Sequence, residues 1–244
     1  SPVTRSINPR FAVACSDEIL SRAAELAGHE LFIQTHLAES RRECDTVAQL
    51  FPDDSNYTSV YDRNGLLTPR TLLAHCVHLS DEEWQLIASR DAVVVHCPTA
   101  NTFLQSGVFD LMTARQQNVR MALGSDVAAG PDLAMPRVAR AMIDLAKTRA
   151  MKDKSMDAVY RSPIPTPAEA WAMITAGNAE ALGWSDVGRL AVGQRADLLM
   201  LNPEIELDAF YIGRLLYTWR DDYITRRFIN GVPYEPDCSP MTAG

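Results

Sequence analysis

Several features that mark specialised classes of protein are missing from this sequence. No apolar run approaches the length of a membrane span, so we expect no contact with a membrane. The net charge of −8 argues against a nucleic-acid partner, which would require a basic face. There is no low-complexity segment and no obvious exact repeat. The composition, with 47% apolar and 22% charged residues, is typical of a globular protein.

Cysteine-pairing motifs are also missing. The chain has five cysteines, an odd number, and it contains no CxxC pair. This usage fits reduced thiols better than a disulfide framework, and it favours a cytoplasmic location. Cys76 and Cys97 lie in apolar runs, where they are most simply interpreted as small buried residues.

Short apolar runs alternate with helical patterns in the first half of the chain. Five runs are typical of strands: 6–14, 30–36, 71–77, 92–98 and 119–126. Ser16 and Ser80 are expected to cap two of the intervening helices. Strands buried on both faces and joined by helices predict a parallel sheet. Beyond residue 130 the pattern becomes helical, and two strand-like segments follow, GQRADLLMLN and DYITRRFINGVPY, the second with Gly231 in a turn.

Three polar residues close predicted strands, namely His36, His75 and Asp126. In a (β/α)8 barrel, the carboxyl ends of the strands form the active-site face. Three separate strands would therefore deliver these side chains to one rim. The convergence by itself identifies no reaction.

Four motifs in fixed order resemble the amidohydrolase superfamily: THLAES, LLAHCVHLSDEE, HCPTANTFLQSGVFD and LGSDVAAG. Within it, NPRF and FLQSGVFD favour the guanine deaminases, and GRLAVGQRADLLMLN is similar to the segment that returns to a small β-sandwich. The resemblance implies an α/β fold. Residues 1–188 would form the C-terminal part of a (β/α)8 TIM-like barrel, about strands four to eight with trailing helices. Residues 189–244 would belong to the accessory β-sandwich.

The resemblance also implies zinc-dependent hydrolytic deamination of guanine to xanthine and ammonia. His36 and Asp126 correspond to ligands of a single Zn²⁺ ion. Glu39 corresponds to the acid/base that carries a proton from water to a ring nitrogen of the purine. His75 corresponds to the histidine that hydrogen-bonds the nucleophilic water and the developing oxyanion. Asp126 would also accept a proton.

The same resemblance assigns the substrate-binding residues. Arg10 corresponds to a purine-binding arginine, whose guanidinium fork suits the acceptor edge formed by O6 and N7 of guanine. Phe11 would stack on the ring or wall it. His36, Glu39 and His75 would line the same pocket, with the segment CPTAN as its floor and Asn101 in a structural role there.

Each of these residues has a simpler interpretation when it is taken alone. His36 would be a hydrogen-bonded strand end, and Glu39 a helix-start acid favoured by the helix dipole. Asp126 would cap the next helix, and Arg10 would be a surface or ion-pair residue. The ordered set favours the functional interpretation.

The remaining histidines and a rival motif carry less weight. We expect His29 in a loop, His78 in a capping or supporting position, and His96 at a strand end that could line the pocket. Zinc deaminases built on the motifs H-x-E and P-C-x-x-C are a different design. The spacing in this sequence excludes them, because HLAE is H-x-x-E and no second cysteine follows Cys97-Pro98.

The chain departs from the family pattern in one respect. The family uses a His-x-His pair at its first barrel strand, and this sequence has none. With about five strands where eight are needed, we expect a missing N-terminal part of the same protein to supply two further histidine ligands. The 244-residue chain alone would then be inactive. The other expected partners are a small-molecule purine and, by family resemblance, a second copy in a homodimer.

Two other functions stay open. One is a deaminase or hydrolase of another aminated ring, of the thiomethyladenosine, adenosylhomocysteine or chlorotriazine type, which substrate choice would distinguish. The other is a non-catalytic relative kept as an assembly or scaffold protein. That function predicts lost site residues, whereas His36, Glu39, His75 and Asp126 are all present.

Overall fold

A five-stranded parallel sheet organises the first half of the molecule. The computed structural model describes residues 4–152 and 164–235. The strands lie in the sheet in chain order: β1 Ser6–Arg10, β2 Phe32–Leu37, β3 Thr71–His75, β4 Val93–His96 and β5 Arg120–Leu123. The predicted parallel sheet is confirmed, although the first, third, fourth and fifth strands end two to four residues earlier than the apolar runs suggest.

Helices connect consecutive strands. They are α1 Asp17–Ala27, α2 Arg41–Leu50, α3 Tyr57–Arg63, α4 Asp81–Ser89, α5 Pro98–Phe103 and α6 Leu111–Gln116. The Ser16 hydroxyl accepts a hydrogen bond from the Ile19 amide, and Ser80 forms a capping box with Glu83. Both predicted caps are therefore present, and they satisfy amides that a helix start would otherwise leave unpaired.

The later part of the described chain is helical and then forms a second sheet. Its elements are α7 Met135–Lys152, α8 Pro167–Ala172, a π-helical turn Met173–Gly177, α9 Asn178–Ala181, β6 Leu198–Leu201, α10 Tyr211–Tyr217, β7 Ile224–Ile229 and β8 Val232–Pro233. Strands β6, β7 and β8 pair antiparallel in that order. Asn230 and Gly231, both at positive φ, make the β7–β8 turn. No helix in the two described ranges is long and apolar enough to cross a membrane.

The main core lies between the parallel sheet and its helices. Ile33 and Leu37 of β2 are buried there with Tyr61 of α3 and Trp84 of α4. Side chains alternate along a strand, so the other β2 residues face the opposite side of the sheet. Gln34 is exposed on that side. The alternation therefore directs His36 away from the helices and toward the open face.

Candidate active site

Three side chains meet where β2, β3 and β5 end. His36 lies near the end of β2, His75 is the last residue of β3, and Asp126 follows β5. One ligand atom from each of them lies within 4.8 Å of the other two. Parallel strands place their carboxyl ends at one edge, so a sheet of this topology gathers residues that are far apart in sequence.

Unusual backbone conformations help to place two of these side chains. His75 has φ 74° and Asp126 has φ 48°, in the left-handed region that non-glycine residues seldom adopt. Such conformations cost about 1–3 kcal/mol each and persist where the surrounding structure imposes them. Regular alternation would send the His75 ring to the helix side with Leu73. The left-handed turn instead leaves the ring beside Glu39 and Asp126.

A hydrogen bond determines which nitrogen of His36 is free. Nδ1 of His36 lies 2.9 Å from the carbonyl oxygen of Arg10. A carbonyl can only accept, so Nδ1 carries the proton and donates it. Nε2 is left with its lone pair, which is the form in which a neutral imidazole binds a metal ion.

The ring of His75 is fully buried and is held by Asn101. Nδ1 of His75 lies 2.8 Å from Oδ1 of Asn101, and an amide oxygen accepts, so Nδ1 is the donor. Nε2 has no hydrogen-bond partner in the described part of the chain. It lies 3.6 Å from Oε2 of Glu39 and 3.9 Å from Oδ2 of Asp126. A buried lone pair facing two carboxylates requires a cation or a water among them.

The donor set of this cluster fits zinc. Catalytic zinc sites commonly use imidazole nitrogens and carboxylate oxygens and keep one position open. The free Nε2 of His36, the unpartnered Nε2 of His75 and the carboxylate of Asp126 provide such donors within a short distance of one another. Among the described residues these three side chains could therefore hold the ion.

Glu39 points into the cluster and does not cap the helix behind it. Helix α2 is capped by Ser40 and Glu43, and Oε2 of Glu43 accepts hydrogen bonds from the backbone amides of Glu39 and Ser40. The Glu39 side chain is thereby left for the site. Its Oε1 accepts a hydrogen bond of 2.9 Å from the Ser106 hydroxyl, while Oε2 faces His75. The carboxylate is thus oriented from one side and free on the other.

Arg10 and Phe11 lie beside the cluster of His36, His75 and Asp126. Arg10 ends β1 with φ 61°, and its guanidinium carbon lies 5.1 Å from the centroid of the Phe11 ring. The Phe11 ring is in turn 5.8 Å from the His36 ring. An arginine and an aromatic ring next to the cluster suit a flat heterocycle with acceptor atoms on its edge.

Comparison with known proteins identifies the family of this site. The family model described as "Amidohydrolase family" matches residues 2–233. The chain belongs to the amidohydrolase family. It is 34% identical over 260 residues to the guanine deaminase of Rattus norvegicus, a match that covers 99% of this chain and 55% of that protein. The resemblance to guanine deaminases noted from NPRF and FLQSGVFD is therefore confirmed.

Two solved structures extend the comparison. One is guanine deaminase from C. acetobutylicum with bound guanine, with a TM-score of 0.85 and 29% identity over 93% of this chain and 54% of that one. The other is an adenosine deaminase from Xanthomonas campestris with bound zinc, with a TM-score of 0.80 and 26% identity over 93% of this chain and 50% of that one. This amidohydrolase chain spans about half the length of the curated relatives it matches.

Ser106 supports the site, and the sequence analysis did not predict this role. Ser106 contacts Glu39 from 67 positions away, and its loop is held by two backbone contacts. His78 Nε2 donates to the Ser106 carbonyl at 2.8 Å, and the Ser106 amide donates to the Asn101 carbonyl at 2.9 Å. Gly107 follows at φ 139°, where a Cβ would lie 2.8 Å from Val77. The motif FLQSGVFD contains this serine, but nothing in the sequence pairs it with Glu39.

The other histidines lie outside the cluster. His29 is exposed in the loop after α1, and His78 supports the Ser106 loop, both in agreement with expectation. His96 does not line the pocket: it is buried on the helix side, where its ring stacks on Phe109 with centroids 4.4 Å apart. Alternation along β4 places it on the same side as Val94, and this explains the difference.

Burial of His96 should make the stability of the protein depend on pH. Burial, and secondarily the charge of His75, lower the pKa of His96 from 6.5 to about 3. The unfolded chain therefore binds a proton that the folded chain excludes between these values. We expect the free energy of unfolding to fall by about 1.4 kcal/mol per pH unit from this residue as the pH drops below 6.5. Urea unfolding at pH 7, 6 and 5 measures the slope.

A His96→Phe variant is the comparison for this slope, because it keeps an aromatic ring against Phe109 without a titratable group. Between pH 7 and pH 5 the unfolding free energy of the wild type should fall more than that of the variant. Parallel pH profiles for the two proteins would show that His96 is protonated when folded.

The buried cysteines are confirmed as small core residues. Cys76 and Cys97 are buried in the structure. Burial, and secondarily the charge of Asp126, raise the pKa of the Cys97 thiol to about 12, and burial raises the pKa of Cys76 well above its usual value. Both thiols are protonated at neutral pH, so neither supplies a thiolate to the site.

Proposed function

We propose that the protein carrying this chain is a zinc-dependent guanine deaminase, which hydrolyses guanine to xanthine and ammonia. The observation that carries the proposal is the cluster of His36, His75 and Asp126 with the free carboxylate oxygen of Glu39 at its edge. Its curated relatives include guanine deaminases, and one structural neighbour holds guanine in its active site. A neighbouring deaminase structure holds zinc.

The metal has one part in the proposed chemistry. When bound, zinc supplies a nucleophile at neutral pH, because it lowers the pKa of water to roughly 7. In this chain the Nε2 atoms of His36 and His75 and the carboxylate of Asp126 would surround it. His75 adds a second imidazole beside the two ligands expected from sequence, His36 and Asp126, and we assign that imidazole to the attacking water.

Glu39 is the proposed proton carrier. A purine ring resists attack until a ring nitrogen is protonated, so an acid must reach both the water and the ring. Oε2 of Glu39 faces the cluster, while the Ser106 hydroxyl holds Oε1. Glu39 would take a proton from the attacking water and pass it to the ring nitrogen. It would do so without rotating, since one oxygen is anchored.

His75 and Asp126 complete the proposed proton path. The buried His75 ring, fixed through Asn101, would hold the attacking water and the oxygen that develops charge. Asp126 would accept the second proton of the water and return it to the leaving amine. One water is consumed, the C–N bond breaks and ammonia leaves, so that the atoms balance.

Arg10 is proposed to bind the O6 and N7 edge of guanine, and its removal should weaken binding. An Arg10→Ala variant should raise KM for guanine about 10- to 100-fold with a smaller change in kcat, because a charged hydrogen bond is lost. Steady-state ammonia release measures both constants. The matched control is Arg22→Ala, an exposed arginine of α1 paired with Glu25, which should leave both constants unchanged. An unchanged KM in Arg10→Ala would remove Arg10 from the site.

We also propose that β1 to β5 correspond to strands four to eight of a (β/α)8 barrel within 1–188, and that 189–244 belong to an accessory β-sandwich. Each of β1 and β5 pairs on one side within the described residues, which leaves an edge for further strands. Two further histidine ligands would come from another part of the protein. Residues 1–244 alone would then be inactive, and ammonia release by this chain alone would contradict that proposal. A cytoplasmic homodimer is proposed by resemblance.

Substrate choice distinguishes guanine from another aminated ring. The adenosine deaminase neighbour has the same fold and comparable identity, so the alternative has a specific basis. The test is ammonia release by the full-length protein from guanine, adenine, cytosine and thiomethyladenosine, with bound zinc quantified. Turnover of guanine alone supports the proposal, and turnover of another ring keeps the mechanism but replaces the substrate. If the protein neither binds zinc nor releases ammonia, the scaffold function replaces the enzymatic one.

A further inference from the structure

The backbone pairing between β1 and β2 is interrupted next to the candidate site. Ile7 pairs with Ile33, whereas Arg10 pairs with Thr35, so β1 contains one more residue than β2 over this stretch. Arg10 also has φ 61°. A bulge of this kind leaves backbone groups without their ladder partners and redirects the side chains that follow.

Side chains take over the missing backbone hydrogen bonds. The Arg10 carbonyl accepts from the Thr35 hydroxyl at 2.8 Å and from Nδ1 of His36 at 2.9 Å. The Ala12 amide donates to the Tyr61 hydroxyl at 3.0 Å. The Tyr61 hydroxyl donates to the His36 carbonyl at 2.7 Å. The bulge therefore depends on the side chains of Thr35 and His36 in β2 and on Tyr61, which reaches it from α3.

The Tyr61 hydroxyl occupies the centre of this network. Tyr61 lies in α3 and is completely buried. Its oxygen accepts from Ala12, directly after the Arg10–Phe11 pair, and its proton goes to the carbonyl of His36. One hydroxyl thus spans the gap between the proposed substrate-binding segment and the proposed metal ligand.

We propose that Tyr61 is a positioning residue that holds His36 and the Arg10–Phe11 segment in a fixed relation to each other. This inference rests on the proposed function, because it assigns the metal to His36 and the purine to Arg10–Phe11. Outer residues that orient a metal ligand commonly change metal affinity or activity 10- to 100-fold when they are replaced. Tyr61 differs from such residues in acting on two components of the site at once.

Tyr57 provides a matched control from the same helix. It is also buried, and its ring lies 5.4 Å from the Tyr61 ring. Its hydroxyl is 3.3 Å from the Ala12 amide and 3.3 Å from the Tyr61 hydroxyl, and no bond to the His36 carbonyl is present. Tyr57→Phe therefore removes a buried hydroxyl from the same cluster without releasing the metal-ligand strand.

The test compares Tyr61→Phe with Tyr57→Phe in the full-length protein. Tyr61→Phe should weaken zinc binding by about 10-fold and, at saturating zinc, raise KM for guanine by about 10-fold. Tyr57→Phe should change either quantity less than about threefold. Equal effects of the two variants, or changes below twofold in Tyr61→Phe, would overturn the inference. Thr35→Val is a second variant, and it should raise KM because it removes a bond to the Arg10 carbonyl.

Ring nitrogen chemical shifts of His36, measured by NMR on 15N-histidine-labelled protein, give a readout that needs neither metal nor turnover. They should move in Tyr61→Phe and stay near the wild-type values in Tyr57→Phe. If the wild-type protein neither binds zinc nor releases ammonia, the proposed function fails and these shifts alone decide. Unchanged His36 shifts in Tyr61→Phe would then overturn the positioning role, and a selective change would support it.

Discussion

Replacing Glu39 with glutamine should lower kcat for guanine by about 10²- to 10⁴-fold while zinc stays bound. Glutamine keeps the size of the side chain and can still accept the Ser106 hydrogen bond, but it cannot take up and release a proton. The loss should therefore appear in kcat and not in zinc content. Ammonia release and metal analysis of the same preparation measure the two effects.

The control for this variant is Glu30→Gln, which makes the same chemical change at an exposed position outside the cluster. It should keep wild-type kcat and zinc content. If Glu39→Gln retains more than about a tenth of wild-type kcat, Glu39 is not the proton carrier, because general acid–base catalysis contributes at least about 100-fold.

Replacing His36 with alanine should weaken zinc binding by more than about 100-fold and abolish turnover. The ligand itself should matter more than the residues that orient ligands, which are worth about 10- to 100-fold. Its Nδ1 is committed to the Arg10 carbonyl, so Nε2 is the nitrogen left free to bind a metal. Competition with a chelator of known affinity measures the zinc dissociation constant.

His29→Ala is the matched change at an exposed loop histidine, and it should leave zinc affinity at the wild-type value. Circular dichroism of His36→Ala separates ligand loss from unfolding, since the ring is partly exposed and its removal opens no core cavity. A folded His36→Ala protein with wild-type zinc affinity would place the metal elsewhere.

The parallel sheet could be predicted because its strands are continuous apolar runs. The ends of those strands could not. The runs ending at 14 and 77 suggested longer strands, whereas β1 stops at Arg10 and β3 at His75. Both residues adopt a left-handed backbone, which residues other than glycine seldom adopt, and the apolar pattern gives no sign of it.

Some residues of the candidate site could likewise be predicted from the sequence, and others could not. His36 and His75 could be named because each lies near the end of an apolar run and within a motif, THLAES or LLAHCVHLSDEE, that resembles the family. Asn101 was expected in a structural role, but its partner His75 was not. Ser106 and Tyr61 act through contacts across loops and helices, and no local pattern links them to their partners. His96 shares a face of β4 with Val94, but Val93 and Val95 make the other face equally apolar, so the sequence could not assign its side.

The position of the metal tests the central claim most directly. Crystals of the zinc-loaded full-length protein, measured on both sides of the zinc absorption edge, locate the ion by anomalous scattering. We predict one strong peak about 2.0–2.2 Å from Nε2 of His36 and from a carboxylate oxygen of Asp126. A peak remote from both residues, or no peak in protein that releases ammonia from guanine, would contradict it.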